Sequence, residues 1–180
     1  AWHQLGRLHY GVKEYENAIR AFDYATLIDD EFLGAFMEKA KAYERLKKYE
    51  EAIESYSRTI ELDDATSYAL LRMGKCYERL GNKVLALKYF NQTVHEDPLL
   101  DKGWIAITDF YVRQKNYQKA LFYVNKALAI DNQNSLYWKR FATINKQMNF
   151  FEEAEFGYRK AVEFRDTGLD TWLFWVDILQ

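Results

Sequence analysis

Few side chains in this sequence could make or break a covalent bond. Its histidines are His3, His9 and His95, and Cys76 is its single cysteine. A metal centre needs imidazole, thiolate or carboxylate groups at spacings that one helix face or a short loop can gather. The three histidines show no such spacing. Cys76 reads as a small buried hydrophobe rather than a nucleophile. No phosphate-cradling glycine loop, G-x-G-x-x-G fingerprint or H-E-x-x-H zinc motif occurs. No catalytic residue, cofactor or metal is therefore expected, and the chain reads as a non-enzyme. The chemistry that is regularly placed is cationic. Arg7, Lys41 and Lys75 stand 34 residues apart, and Arg45, Arg79 and Arg113 keep the same interval. Rows of fixed cations suit the binding of an acidic peptide or a terminal carboxylate, which arginine can hold through two parallel hydrogen bonds.

Cations at such an interval require a chain that repeats. Ala18, Ala52, Ala86, Ala120 and Ala154 follow the same 34-residue period. A fixed period of this size marks a solenoid, in which each unit buries its apolar face against its neighbours and the array presents an extended surface. Composition agrees: among 180 residues, 49% are hydrophobic and 29% charged, enough for a packed core, while one proline and eight glycines leave little for long linkers. The formal charge of −2 exerts no general pull toward nucleic acid or an anionic membrane. No apolar stretch reaches the roughly 20 residues needed to span a bilayer. A lone cysteine fits a reducing compartment, so a cytoplasmic location is expected. The sequence starts in mid-pattern, so a removed leader would not be visible.

With the alanines placed at repeat position 20, other columns align. The first repeat carries Trp2, Leu5, Gly6, His9, Ala18, Phe22 and Ala25 at positions 4, 7, 8, 11, 20, 24 and 27. The third carries Leu70, Met73, Gly74, Tyr77, Ala86, Phe90, Thr93 and then Pro98. This pattern resembles the tetratricopeptide repeat family, W-x2-L-G-x2-Y followed by Ala, Phe and Pro. The second, fourth and fifth repeats keep the size pattern through Phe36, Ala40, Tyr43 and Tyr56, then Trp104, Thr108, Tyr111 and Val124, then Trp138, Ala142, Asn145 and Tyr158.

Large residues at positions 4, 7 and 11, and again at 17, 21, 24 and 28, recur at helical steps, so each repeat is two amphipathic helices. The expected pairs are 1–12 with 15–28, 33–46 with 49–62, 67–80 with 83–96, 101–114 with 117–130, and 135–148 with 151–164. A last helix from about 170 brings the total to about eleven. Small residues at positions 8 and 20 lie where paired helices cross. Short turns join the helices, from Lys13-Glu14 to Asn149-Phe150. Joints such as Asp29-Asp30, Asp63-Asp64, Asp97-Pro98 and Asp131-Asn132 are expected to cap the helix that follows. Most of the aromatic residues, 17% of the chain, fall on core columns, including Tyr15, Tyr49 and Tyr117 at position 17.

The expected fold is all-α, a right-handed superhelical solenoid of antiparallel helix pairs. It forms one array over 1–180, with repeats at 1–32 (its start truncated), 33–66, 67–100, 101–134 and 135–168. Residues 169–180 form the first helix of an incomplete sixth. Trp172 and Trp175 would lie uncovered there and are candidates for self-association.

The resemblance implies binding of a protein or peptide on the concave face, lined by the first helix of each repeat. Carried onto this sequence, it selects Arg7, Tyr10, Lys41, Arg45, Tyr68, Leu71, Lys75, Arg79, Lys102, Arg113 and Lys139. Tyr10, Tyr68 and Leu71 would be apolar anchors. Lys41 with Glu44, and Lys75 with Glu78, are also spaced to pair within one helix. The Lys/Asn clamp by which some family members hold a terminal carboxylate is not reproduced: positions 5 and 9 read His3 and Arg7, Met37 and Lys41, Leu71 and Lys75. The implied function is a non-enzymatic interaction scaffold, with an acidic ligand favoured by the groove. The alternatives are a helical-repeat RNA binder, disfavoured by net charge, and a self-assembling module.

Overall fold

The computed structural model describes residues 1–62 and 67–164. The Asp63-Asp64 joint, the expected final helix, Trp172 and Trp175 lie outside the described residues. Backbone contacts divide the chain into two units, Ala1–Glu96 and Asp97–Gln180.

The first unit holds α1 (Trp2–Gly11), α2 (Tyr15–Ile28), α3 (Leu33–Arg45), α4 (Tyr49–Leu62), α5 (Ser67–Arg79) and α6 (Lys83–Glu96). The second holds α7 (Asp101–Arg113), α8 (Tyr117–Ile130), α9 (Ser135–Gln147) and α10 (Phe151–Glu163). The described residues are thus all-α, and the stacked helix pairs expected from the period are the ones observed. Within the first unit α2 packs on α3 and α4 on α5; within the second, α8 packs on α9.

Each pair is closed by the same turn. Lys13, Lys47, Gly81, Lys115 and Asn149, all at position 15, have φ between 56° and 80°. The amide after each bonds to the carbonyl five residues back, as from Glu14 to His9 (2.9 Å), Lys48 to Tyr43 (3.0 Å) and Asn116 to Tyr111 (2.9 Å). The position-15 amide itself bonds three residues back, and this double bond pattern satisfies the last carbonyls of the first helix. Only Gly81 takes the left-handed conformation without steric cost.

The joints between repeats depart from expectation. Asp29, Asp97 and Asp131 do not cap the next helix. Their Oδ1 atoms accept from the amides of Glu31 (3.2 Å), Leu99 (3.0 Å) and Gln133 (3.2 Å), two residues on. The helices begin four residues after each aspartate, beyond the reach of so short a side chain, so the carboxylates shape the joint instead. Capping falls to asparagines: Asn82 accepts from Leu85 N (3.1 Å), Asn116 from Lys119 N (3.2 Å) and Asn134 from Leu136 N (3.2 Å).

The alanine column is completely buried, with Ala18, Ala52, Ala86, Ala120 and Ala154 all at 0% exposure. Facing residues occupy positions 8 and 24. A methyl added at Gly6 would sit 2.4 Å from the Phe22 ring, and one at Gly74 2.5 Å from Phe90. Ala40 shares a cluster with Tyr56, and Ala142 with Tyr158. In the fourth repeat position 24 shrinks to Val124 and position 8 grows to Thr108, both fully buried. Close packing demands this exchange of volume between columns. The buried threonines satisfy their hydroxyls on backbone carbonyls one turn back, as Thr108 does on Trp104 (2.9 Å) and Thr93 on Tyr89 (2.9 Å).

Candidate functional site

The three first helices of the first unit, α1, α3 and α5, together with the start of α4, line an open cleft of about 620 Å³. Their groove positions recur every 34 residues, so each helix presents one set of side chains to the same face. Among the described residues, Lys41, Arg45, Arg72, Lys75 and Arg79 line this cleft against one carboxylate, Glu44, together with Tyr10, Tyr49, Tyr68 and Cys76. Tyr68 is 42% exposed and offers its ring to the cleft; Lys41 Nζ lies 5.2 Å from that ring's centroid. Arg45 Nε donates to the Tyr10 hydroxyl at 3.1 Å, and this bond raises the guanidinium above its ordinary value.

Glu44 does not follow the intra-helix pairing with Lys41. Arg72 grips its carboxylate from α5 with two donors, Nε to Oε1 at 2.8 Å and Nη2 to Oε2. Tyr56, fully buried on α4, donates its hydroxyl to Oε1 at 2.5 Å. Burial opposes the Arg72 charge, yet the bonds and charge of Glu44 outweigh it, so the guanidinium stands above its ordinary value. Burial first, then the neighbouring carboxylate, pushes the Tyr56 hydroxyl well above the usual phenol range. Beneath them Cys76 is 1% exposed, and burial pushes its thiol up to about 12. It is a packed thiol, as its sequence context suggests.

Arg72 and Tyr49 are cleft residues that the repeat columns do not single out. The column of Tyr49 points to the core, but position 17 follows directly on the turn and lies beside the end of the preceding helix, so its ring is only half-buried. Arg72 stands at position 6, a column with a readable signal. Its charged members pair with a groove residue of the repeat before: Glu38 Oε1 lies 3.6 Å from Arg7 Nε, Arg72 holds Glu44, and Arg140 holds Asp109 at 2.7 and 3.0 Å. Opposite signs at position 6 and at position 9 or 12 one repeat earlier are visible in the sequence alone.

The other groove candidates fare differently. Arg7, with Tyr10, Glu38 and Lys41, borders a side pocket of about 240 Å³ next to the main cleft. Leu71 is a correction: at 2% exposure it is buried in the core and closed to any ligand, because position 5 of α5 turns toward the neighbouring helices. Lys139 lines a separate cleft of about 260 Å³ in the second unit, with Leu136, Val112 and the Asp109–Arg140 pair. Lys102 and Arg113 are exposed and line neither cleft. His9 is not simply a packed ring; its Nδ1 lies 2.7 Å from Glu14 Oε2 across the first turn. Among the described residues no helix is long and apolar enough to cross a membrane.

The sequence matches the tetratricopeptide repeat model over residues 3–67 and 37–100, and a second model of that repeat over 102–134. No curated protein sequence matches it. Among solved structures, MamA superposes with a TM-score of 0.77 at 17% identity, covering 91% of this chain and 89% of MamA. TTC0263, a thermophilic TPR protein in Thermus thermophilus, gives 0.72 at 18% identity over 99% of this chain and 97% of its own. YrrB, described as a TPR protein with an unusual peptide-binding site, gives 0.71 at 16% identity over 96% of this chain and 89% of its own. At such identities the structural likeness concerns the fold. Since the repeat model spans most of the sequence and five helix pairs close on one common turn, the chain belongs to the tetratricopeptide repeat family.

Proposed function

We propose that this protein is a non-enzymatic interaction scaffold whose first unit seats an extended polypeptide segment rich in acidic side chains. The observation that carries the reading is the cleft lining, where Lys41, Arg45, Lys75 and Arg79 stand beside a carboxylate already held by Arg72. The family is built for protein binding, and one structural neighbour is described as having a peptide-binding site. A stack of rigid helices holds its groove before the ligand arrives, so little ordering cost falls on the protein. Arginine forks would fix carboxylates of the ligand in register, while the rings of Tyr10 and Tyr68 would pack on its aliphatic parts. Cations near the rim chiefly raise the association rate and make binding salt-sensitive.

The test is fluorescence anisotropy with a labelled decapeptide alternating Glu and Gly, against a Lys/Gly decapeptide of equal length. The acidic peptide should bind and the basic one should not. Arg45→Glu with Arg79→Glu should weaken the acidic peptide at least about tenfold, since two attractive charges become repulsive. Helical circular dichroism should stay unchanged. Equal affinity in wild type and variant removes this cleft from the function.

A further inference from the structure

Among the described residues lining the cleft, Glu44 is the one that should repel an acidic ligand, and it occupies a groove position on α3. Both its oxygens are taken: Oε1 accepts from Arg72 Nε and from the Tyr56 hydroxyl, and Oε2 from Arg72 Nη2. The Glu44 side chain is 12% exposed, whereas that of Arg72, which covers it from α5, is 28% exposed. Three helices therefore converge on this carboxylate, α3 carrying it, α4 anchoring it from below and α5 neutralising it from the cleft side.

We infer that Arg72 is a specificity-determining residue: by masking Glu44 it withdraws the one negative charge among the described residues of the lining, so that the ligand meets the other cations there. The inference rests on the reading that the cleft seats an acidic segment. Arg72 here does not act as one more cation for the ligand, because its fork already faces a carboxylate of this chain. The Arg72–Glu44 pair is electrically neutral toward the cleft, and its value lies in what it hides. Arginine is suited to the task because two parallel bonds cover both oxygens at once, which a lysine ammonium would not do.

Masking and simple cation counting part ways in a set of three variants. Arg72→Gln leaves Glu44 charged and uncovered and should weaken binding of the Glu/Gly decapeptide about tenfold or more. Glu44→Gln releases the Arg72 fork to the ligand and should tighten the same peptide several-fold. The double variant Glu44→Gln with Arg72→Gln removes a cation from the cleft, yet it should bind within about twofold of wild type, because a neutral pair replaces a neutral pair. The double variant leaves no buried charge unpaired, so it also serves as the folding-safe variant, checked by helical circular dichroism and thermal midpoint. A double variant as weak as Arg72→Gln alone would mean that Arg72 contacts the ligand directly, and would overturn the mask. Weaker or unchanged binding in a folded Glu44→Gln would overturn it too, while leaving the acidic-segment reading intact. If wild type binds neither decapeptide, or prefers the basic one, that reading fails and the mask falls with it.

Discussion

Position 8 and position 24 are coupled by volume, and the cycle Gly74→Thr with Phe90→Val measures the coupling. A Cβ at Gly74 would stand 2.5 Å from Phe90 Cδ1, 2.6 Å from Cε1 and 3.3 Å from the Ala86 carbonyl oxygen. Ordinary contact begins near 3.4 Å, so the ring would have to retreat by roughly 1 Å, and Phe90 at 0% exposure has nowhere to go. Gly74→Thr should cost about 2–3 kcal/mol through overpacking, even though leaving glycine recovers a few tenths of a kcal/mol in helix propensity. Phe90→Val should cost about 2–4 kcal/mol through lost burial and a residual cavity. The double variant copies the fully buried Thr108 and Val124 of the fourth repeat, so the added atoms enter the space the ring vacates. Its cost should fall short of the sum of the singles by about 2 kcal/mol. Urea denaturation followed by helical circular dichroism, with all four proteins fitted to a common slope, provides the free energies. Additivity within about 0.5 kcal/mol would refute the idea that these columns exchange volume.

Two further predictions concern stability, beside the two binding experiments set out above. Lys47→Gly and Lys115→Gly should each stabilise by about 0.5–1 kcal/mol, because both lysines sit at φ near 60° where a side chain is strained, and Gly81→Ala should destabilise by about 1 kcal/mol; thermal and urea midpoints check all three. Cys76, Tyr56 and Tyr137 are held protonated above their ordinary values, by burial first and, for the tyrosines, then by the neighbouring carboxylates of Glu44 and Asp101. The folded state therefore keeps protons that the unfolded chain releases from about pH 9 upward. Stability should be full below that range and fall as pH rises through it, and Tyr56→Phe should flatten the slope; urea midpoints between about pH 8 and 11 that do not fall would contradict the burial assignment.

How far the site can be read in advance depends on which force places each residue. Lys41, Arg45, Lys75 and Arg79 are legible because helix periodicity and a constant repeat length put them on one face whatever the details of packing. Leu71 misleads because its column also borders the core, and a leucine there gains more from burial than from a wet groove. For Glu44, spacing along one helix points to the wrong partner, Lys41. The charge of Arg72, one repeat later and ringed by buried groups, offers two bonds in a drier setting. Asp29, Asp97 and Asp131 look like caps in sequence, but each stands four residues before its helix, so its short side chain reaches only the amide two residues on, inside the joint.

The period, the helix pairs to within two residues, the alanine contacts and the family are all legible along the chain. All of these follow from local propensity and from residue spacing, which act along the chain. Packing between helices set the exchange of volume between small and large residues at positions 8 and 24. It also decided that a carboxylate aimed at the groove is covered by an arginine from the next repeat. These last features depend on distances between side chains on different helices, where van der Waals exclusion and charge act over a few ångströms that no spacing in sequence specifies.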